Sequence, residues 1–374
     1  MLLSGESLYL GRLFSRLLAA ALILGCSAAQ ASKLSDISAA LAPGQWATLN
    51  TSTDGSGFNA ALLCAELKAG ESRCGDNILN YAGEGSWNRT TREVHFIGSG
   101  HLRETKHISY TEATNTWKLE TNPSWNCIGL AGCAQYASIG HNFDAVTMNP
   151  ATGALFVRLP GYAGSALYRR DPATKAWTAL PAAPPSAYTM ALEYFPEMQG
   201  LVLMGGGYVY LLRDGASTWE RLASGLTMGS YGSVASYNPT HHVIMFGGGD
   251  NDQGVGNRSL YRLDASGTVT PAPSPPENFG VQLSQFVLDP ASSRHLLFTK
   301  SGGFHEYDVA ENRWRTLKTT LPTVSTRPVQ WTAVVPIDTY GVVLLLAQHD
   351  FNDFRVHVYR HAASRKAPAQ TASP

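Results

Sequence analysis

The chain has 374 residues, of which 15% are charged, 44% apolar and 36 are glycine, with 28 basic side chains against 28 acidic ones. That balance leaves no basic surplus for a nucleic-acid backbone and no acidic tail, and the apolar content excludes a chain that stays unfolded. A charged fraction below the usual ~25%, together with 37 aromatic residues, favours a turn-rich β protein.

Residues 1–31 read as a signal peptide. Arg12 and Arg16 precede the apolar run Leu17 to Leu24, which is shorter than the ~20 residues that span a bilayer. Ala29-Gln30-Ala31 is a small-x-small cleavage site. A second reading takes Ile23-Leu24-Gly25-Cys26 as a lipobox, which would leave a lipid anchor on Cys26. Either way the chain is exported, secreted or periplasmic, and no other stretch is apolar enough to form a transmembrane segment. Four further cysteines follow, Cys64, Cys74, Cys127 and Cys133. An even count in an exported chain fits disulfides, and four cysteines allow three pairings. The close spacings favour Cys64–Cys74 and Cys127–Cys133. Neither has the short C-x2-C spacing usual for zinc, and no metal site is expected.

From here one pattern repeats: an apolar strand, a glycine-rich spot, a strand with Tyr, a polar turn, then Trp. Tyr110-TEATNT-Trp117 and Tyr307-DVAENR-Trp314 are the best copies; Tyr168 to Trp177 and Tyr210 to Trp219 are looser, and Tyr261 and Tyr359 open copies without their own Trp. The six tyrosines span 249 residues in five steps, about 50 per repeat. A second marker keeps the same beat as a turn ahead of each glycine-rich strand: Trp87-Asn88, Asn149-Pro150, Phe195-Pro196, Asn238-Pro239, Asp289-Pro290 and Val335-Pro336.

Paired glycines at 206–207 and 247–249 and the Tyr-x6-Trp pairs resemble the kelch repeat, and more broadly the central domain of galactose-oxidase-like proteins. Blade two departs from the pattern, with Leu155-Phe-Val-Arg-Leu in place of the glycines. The resemblance covers about residues 41–360. It implies an all-β fold: a single propeller over 32–360, with six four-stranded antiparallel blades. Residues 361–374, rich in Ala and Pro, read as a disordered tail. No Trp follows Tyr359, while Gln45-Trp46-Ala-Thr-Leu49 stands alone near the other end. The N-terminal strand is therefore expected to complete blade six, which also pairs an otherwise open edge.

With strands a to d numbered from the centre outward, the a–b turns are tight and the c–d loops run six to nine residues. Longer segments fall on the opposite face: Gly247–Asn257 and Gln348–Asp353 between strands b and c, and Asn122–Gly140 between blades. Such loops on a rigid scaffold are where binding sites concentrate. That register places His101, Arg103, Tyr136, His141, Asn142, Arg158, Tyr188, Tyr231, Arg258, Lys300, Arg327, His349 and Asp350 at the loop-rich mouth.

Cationic and aromatic side chains there point to a glycan or other extracellular ligand. Cations can neutralise a substrate carboxylate, and Tyr188 or His141 can move a proton. Carbohydrate recognition is thus the leading expectation. The alternatives are a polysaccharide lyase acting on uronic-acid glycans through Tyr188 and His141, with Arg158 on the substrate carboxylate, and a protein-interaction module. Glu84, Asp144 and Glu193 fall near inner strands, where a carboxylate pair of the glycosidase kind needs a separation of about 5–10 Å. Asp250-Asn-Asp252 lacks the Gly and Glu of a calcium loop. No glycine loop precedes a helix, so no cofactor is expected.

Overall fold

A computed structural model describes residues 33–51, 78–99, 105–120, 141–159, 165–184, 189–250, 256–281, 283–318, 332–350 and 353–362. Their 24 strands form six four-stranded antiparallel sheets, in blades I to VI spanning 86–119, 146–183, 191–224, 234–272, 284–316 and 332–359. In each sheet the chain steps outward strand by strand, and the six inner strands pack side by side in a ring. The fold is a six-bladed β-propeller. The outer strand of blade VI is Trp46–Leu49, paired in register with Asp353–Tyr359, so the N-terminal strand closes the ring as expected. Among the described residues no helix is long and apolar enough to cross a membrane.

Blades stack on both faces, so the second strand of each blade is buried at nearly every position rather than at alternate ones. Leu155–Leu159 and Gly200–Gly205 are buried throughout. One face of blade VI packs Leu344, Leu346, Val356 and Val358 against Val94, Phe96, Ile108 and Tyr110 of blade I. Its other face meets Val287, Leu296 and Phe298 of blade V through Val343, Leu345 and Tyr359.

All six a–b turns share one geometry. The strands pair up to Asn88↔Glu93, Phe195↔Gly200, Asn238↔Val243, Asp289↔Arg294 and Ile337↔Val342, and Asn149 bonds the carbonyl of Ala154. Four residues intervene each time, and the fourth is left-handed: Arg92, Gly153, Gln199, His242, Ser293 and Gly341, with φ between 50° and 73°. Asn88, Asn149 and Asn238 each accept the N–H groups two and three residues ahead on their side-chain oxygen. This is the Asx turn that makes asparagine a turn former. Register corrects one marker: Pro336 lies inside the inner strand Thr332–Ile337, and the turn opens at Asp338.

The Tyr-x6-Trp motif is a cross-strand pair. Tyr110 stands opposite Trp117 and Tyr307 opposite Trp314, with ring centroids 5.5 and 5.1 Å apart. In both copies the tyrosine hydroxyl donates to an asparagine five residues on, Asn115 or Asn312, at 2.9 and 2.5 Å. Both asparagines are left-handed, a conformation this residue tolerates well. The looser copies are out of step: Tyr168 faces Ala179 and Tyr210 faces Arg221.

Two connections differ from expectation. Gln348–Asp353 is not a long loop, because strand pairing continues through Asp350↔Asp353. The c–d connections between Thr111 and Thr116, Asp264 and Val269, and Asp308 and Arg313 are four residues long, shorter than the six to nine expected. The glycine pair of blade III makes a two-residue b–c hairpin, with φ of 55° at Gly206 and 85° at Gly207. Those values suit a type I′ turn, which side chains resist.

Candidate functional site

The shared turn geometry aligns the six inner strands residue for residue. One position before the turn-flanking residues stand Trp87, Met148, Tyr194, Tyr237, Leu288 and Pro336. One position after them stand Arg89, Pro150, Pro196, Pro239, Pro290 and Asp338. Both rings line a single cavity of about 450 Å³ on the turn face. Four prolines and the ion pair between Arg89 and Asp338 (2.9 Å) form its rim. Large apolar and aromatic side chains form its wall.

Carboxyl groups lie further in. Counting from the turn, Glu193 is two residues down its strand, Glu84 four and Asp144 five, so Glu84 and Asp144 lie about 7 and 10 Å deeper along the strand direction. Glu84 and Glu193 line the cavity, with the hydroxyls of Ser86 and Thr147 beside them. Glu193 is held by the Thr147 hydroxyl at 2.9 Å and the Tyr237 N–H at 3.2 Å, which ties blades II, III and IV together. Asp144 accepts the N–H of Ala235 at 2.8 Å and that of Glu84. Among the described residues no group hydrogen-bonds the Glu84 carboxyl.

Burial, then the negative charge of Glu193 and Asp144, holds Glu84 well above the ordinary carboxylate range. Burial followed by the Asp144 charge pushes Glu193 up to about 8, against the pull of its hydrogen bonds. Asp144 rises to about 7 through burial, opposed by the N–H groups it accepts and by Arg158. At neutral pH Glu193 is therefore mostly a carboxylic acid that donates as well as accepts hydrogen bonds, and burial pushes Glu84 in the same direction.

The residues expected at the loop-rich mouth divide. Tyr188, His101, Arg103, Tyr136 and Arg327 lie outside the described residues, as do Cys26, Cys64, Cys74, Cys127 and Cys133. His141 is 4% exposed, its ring tilted at 50° with its centroid 4.1 Å from that of Tyr81, and edge-on to Phe143. Phe143 in turn meets the ring of Tyr231 at 5.0 Å, which joins His141 and Tyr231 in one aromatic cluster. Asn142 is buried and donates to the Ile97 carbonyl at 2.7 Å. Arg158 is fully buried, with a guanidinium nitrogen 2.8 Å from the Met190 carbonyl. His349 is half-buried and pairs with His357 at 2.8 Å. Arg258 and Lys300 are exposed and line one cleft between blades IV and V. His95 and His107 form a buried pair, 3.1 Å apart, between blades I and II. Among the described residues no group of three or more His, Cys, Asp or Glu is placed to hold a metal ion.

The sequence contained the turn-face cavity only in disguise. Its wall comes from one strand position filled by Trp, Met, Tyr, Tyr, Leu and Pro, which no residue-type pattern reveals. Counting one residue back from each turn finds it once the turn register is known.

No protein-family model matches the chain, and no curated protein matches it. Solved structures do resemble it in fold. A structural-genomics protein of unknown function from Bacteroides thetaiotaomicron superposes with a TM-score of 0.53 at 8% identity, over 84% of this chain and 75% of that one. The structure of YjhT gives a TM-score of 0.48 at 11% identity, over 74% of this chain and 94% of that one. At such identities the likeness is one of fold alone.

Proposed function

We propose that this propeller is an exported recognition protein for a hydroxyl-rich, neutral small ligand, of the class of one or two sugar rings, bound in the axial cavity of the turn face. One observation carries the reading: a 450 Å³ cavity in which every blade supplies an apolar or aromatic wall residue, with Glu84 and Glu193 set into the wall. That volume lies in the range of small-ligand sites, which pair a largely apolar lining with a few placed polar groups. Sugar rings present apolar C–H faces to aromatic side chains and hydroxyls to groups that both donate and accept. A protonated Glu193 does both, and it neither repels nor captures ions. The signal-peptide pattern of residues 1–31 supports export.

Binding of a panel of neutral mono- and disaccharides, followed by ligand-observed NMR and calorimetry, tests the proposal. Tyr237→Ala is expected to weaken binding by about tenfold or more, the cost of losing one aromatic contact and its buried area. Glu193→Gln keeps the shape and one donor, so a smaller loss is expected. A panel with no binder, or a binder indifferent to both substitutions, defeats the reading.

A further inference from the structure

The opposite face carries a second cleft, between blades IV and V, of about 420 Å³. Arg258 enters it from the b–c segment of blade IV, and Lys300 from the b–c turn of blade V. We propose that this cleft is a binding site for an oxyanion, above all the carboxylate of an acidic sugar, gripped between Arg258 and Lys300.

Three observations support it. Both cations are exposed, and among the described residues neither forms an ion pair. The Arg258 side chain is also fixed, and so is the backbone that carries Lys300. Arg258 donates through Nε to the Pro275 carbonyl at 2.7 Å, which anchors the guanidinium and leaves its two terminal nitrogens for a ligand. The Lys300 backbone N–H donates to the Leu283 carbonyl at 2.8 Å, which anchors the turn and leaves the ammonium free to reach a ligand.

The third observation concerns the one acid in the lining, Glu277, whose oxygens are bonded to groups other than the two cations. Its carboxylate accepts from the Thr299 hydroxyl at 2.9 Å, meets His305 Nε2 at 3.0 Å and bonds the Ser301 hydroxyl. Burial acts to raise its pKa, but the bonds from Ser301, His305 and Thr299 outweigh it and hold the group ionised and bound. The turn is shaped around this acid: a Cβ at Gly303 would fall 1.9 Å from Glu277 Oε1. Glu277 therefore stiffens the b–c turn and forms no ion pair with Arg258 or Lys300, so two cations face one carboxylate in the lining and a positive balance remains. A guanidinium fork matches a carboxylate in two parallel bonds, and the ammonium adds a point charge. Asn278 and Ser301, in the same lining, offer neutral bonds for neighbouring hydroxyls.

The site stands on the face away from the axial cavity, so either reading can fail without the other. Titration of the full chain with sodium galacturonate, inorganic phosphate and neutral galactose, read by calorimetry and NMR, tests it. Galacturonate is expected to bind, to weaken with added salt, and to lose about tenfold or more in Arg258→Gln and in Lys300→Gln, the scale of a bond to a charged group. Arg221→Gln, which removes an exposed cation from the outer strand Glu220–Ser224 of blade III, is expected to leave galacturonate binding unchanged. Phosphate binding with the same dependence, and no galacturonate binding, keeps the oxyanion site and assigns it to phosphorylated ligands. Silence of both anions overturns the proposal, as does binding that survives both substitutions in variants that melt like the parent.

Discussion

Glu193 binds its proton more tightly in the folded chain than in the unfolded one. Between the ordinary glutamate value of about 4.3 and about 8, the folded state carries more protons than the unfolded state. Stability contributed by this group is therefore full below pH 4 and falls as pH rises through that window. Glutamine at this position removes the ionisation and can still donate to Thr147 and accept from Tyr237. Glu193→Gln is expected to leave the melting temperature near parental at pH 4 and to raise it above parental at pH 8.5. Thermal melts across pH 4–9 measure this; parallel curves for the two proteins would show that Glu193 ionises freely. The same proton decides what the cavity can bind, because ionised Glu193 would favour cations over hydroxyls. Ligand affinity for a neutral sugar is thus expected to follow the protonated fraction.

At the level of strands, the most legible part of the sequence was the part with a fixed spacing. Tyr-x6-Trp places two rings opposite each other across a four-residue turn, so the spacing alone predicts pairing. Adding two residues, as at Tyr168 and Tyr210, shifts the Trp out of register. The same pair reappears in blade VI without any shared spacing, since Trp46 stands opposite Tyr359 and stacks on it at 4.1 Å. Proline was a poorer guide, because it marks a turn only by position: Pro290 opens one and Pro336 sits in a strand. Loop length was the least legible quantity, as the short hairpin at Asp350↔Asp353 shows. Polar residues such as His349, Asp350 and Asp353 look the same in sequence whether the strands stop before them or run on through them. The cation pair Arg258 and Lys300 was legible as chemistry and its neighbour Glu277 was not, since only tertiary contacts show which groups the acid bonds. Trp46→Ala is expected to cost about 2–4 kcal/mol, as for other large aromatic truncations, and Trp46→Phe to recover much of that in urea unfolding. A cost below about 1 kcal/mol would mean the stacked pair is incidental to blade VI.

A ring of six blades must hold its first blade to its last, and beside the apolar packing of blade VI on blade I two features at that seam set charge against threading. One is the rim ion pair Arg89–Asp338, whose side chains are 56% and 41% exposed. Exposed pairs are screened and worth about 0–1 kcal/mol. The other is the segment 33–50. Its helix, Lys33–Ala40, buries Leu34 in the core shared by blades I and VI, with Leu41 and Leu49. Arg360 ties it down by donating to the Ser38 carbonyl at 2.6 Å, and backbone bonds join Gly44 and Gln45 to Arg360. Three buried leucines and Trp46 contribute about 1.5–3 kcal/mol each, and their loss would also open the edge of strand Asp353–Tyr359. The seam is therefore closed by chain threading rather than by charge. Arg89→Ala is expected to move the melting temperature by less than about 3 °C. Deleting residues 33–50 is expected to lower it by about 10 °C or more and to broaden the transition, as blade VI loosens ahead of the rest. Calorimetry of the two variants beside the full chain separates the alternatives. A truncated chain that melts like its parent, or an Arg89 variant that falls as far as the truncation, would put the closure in the rim and not in the strand.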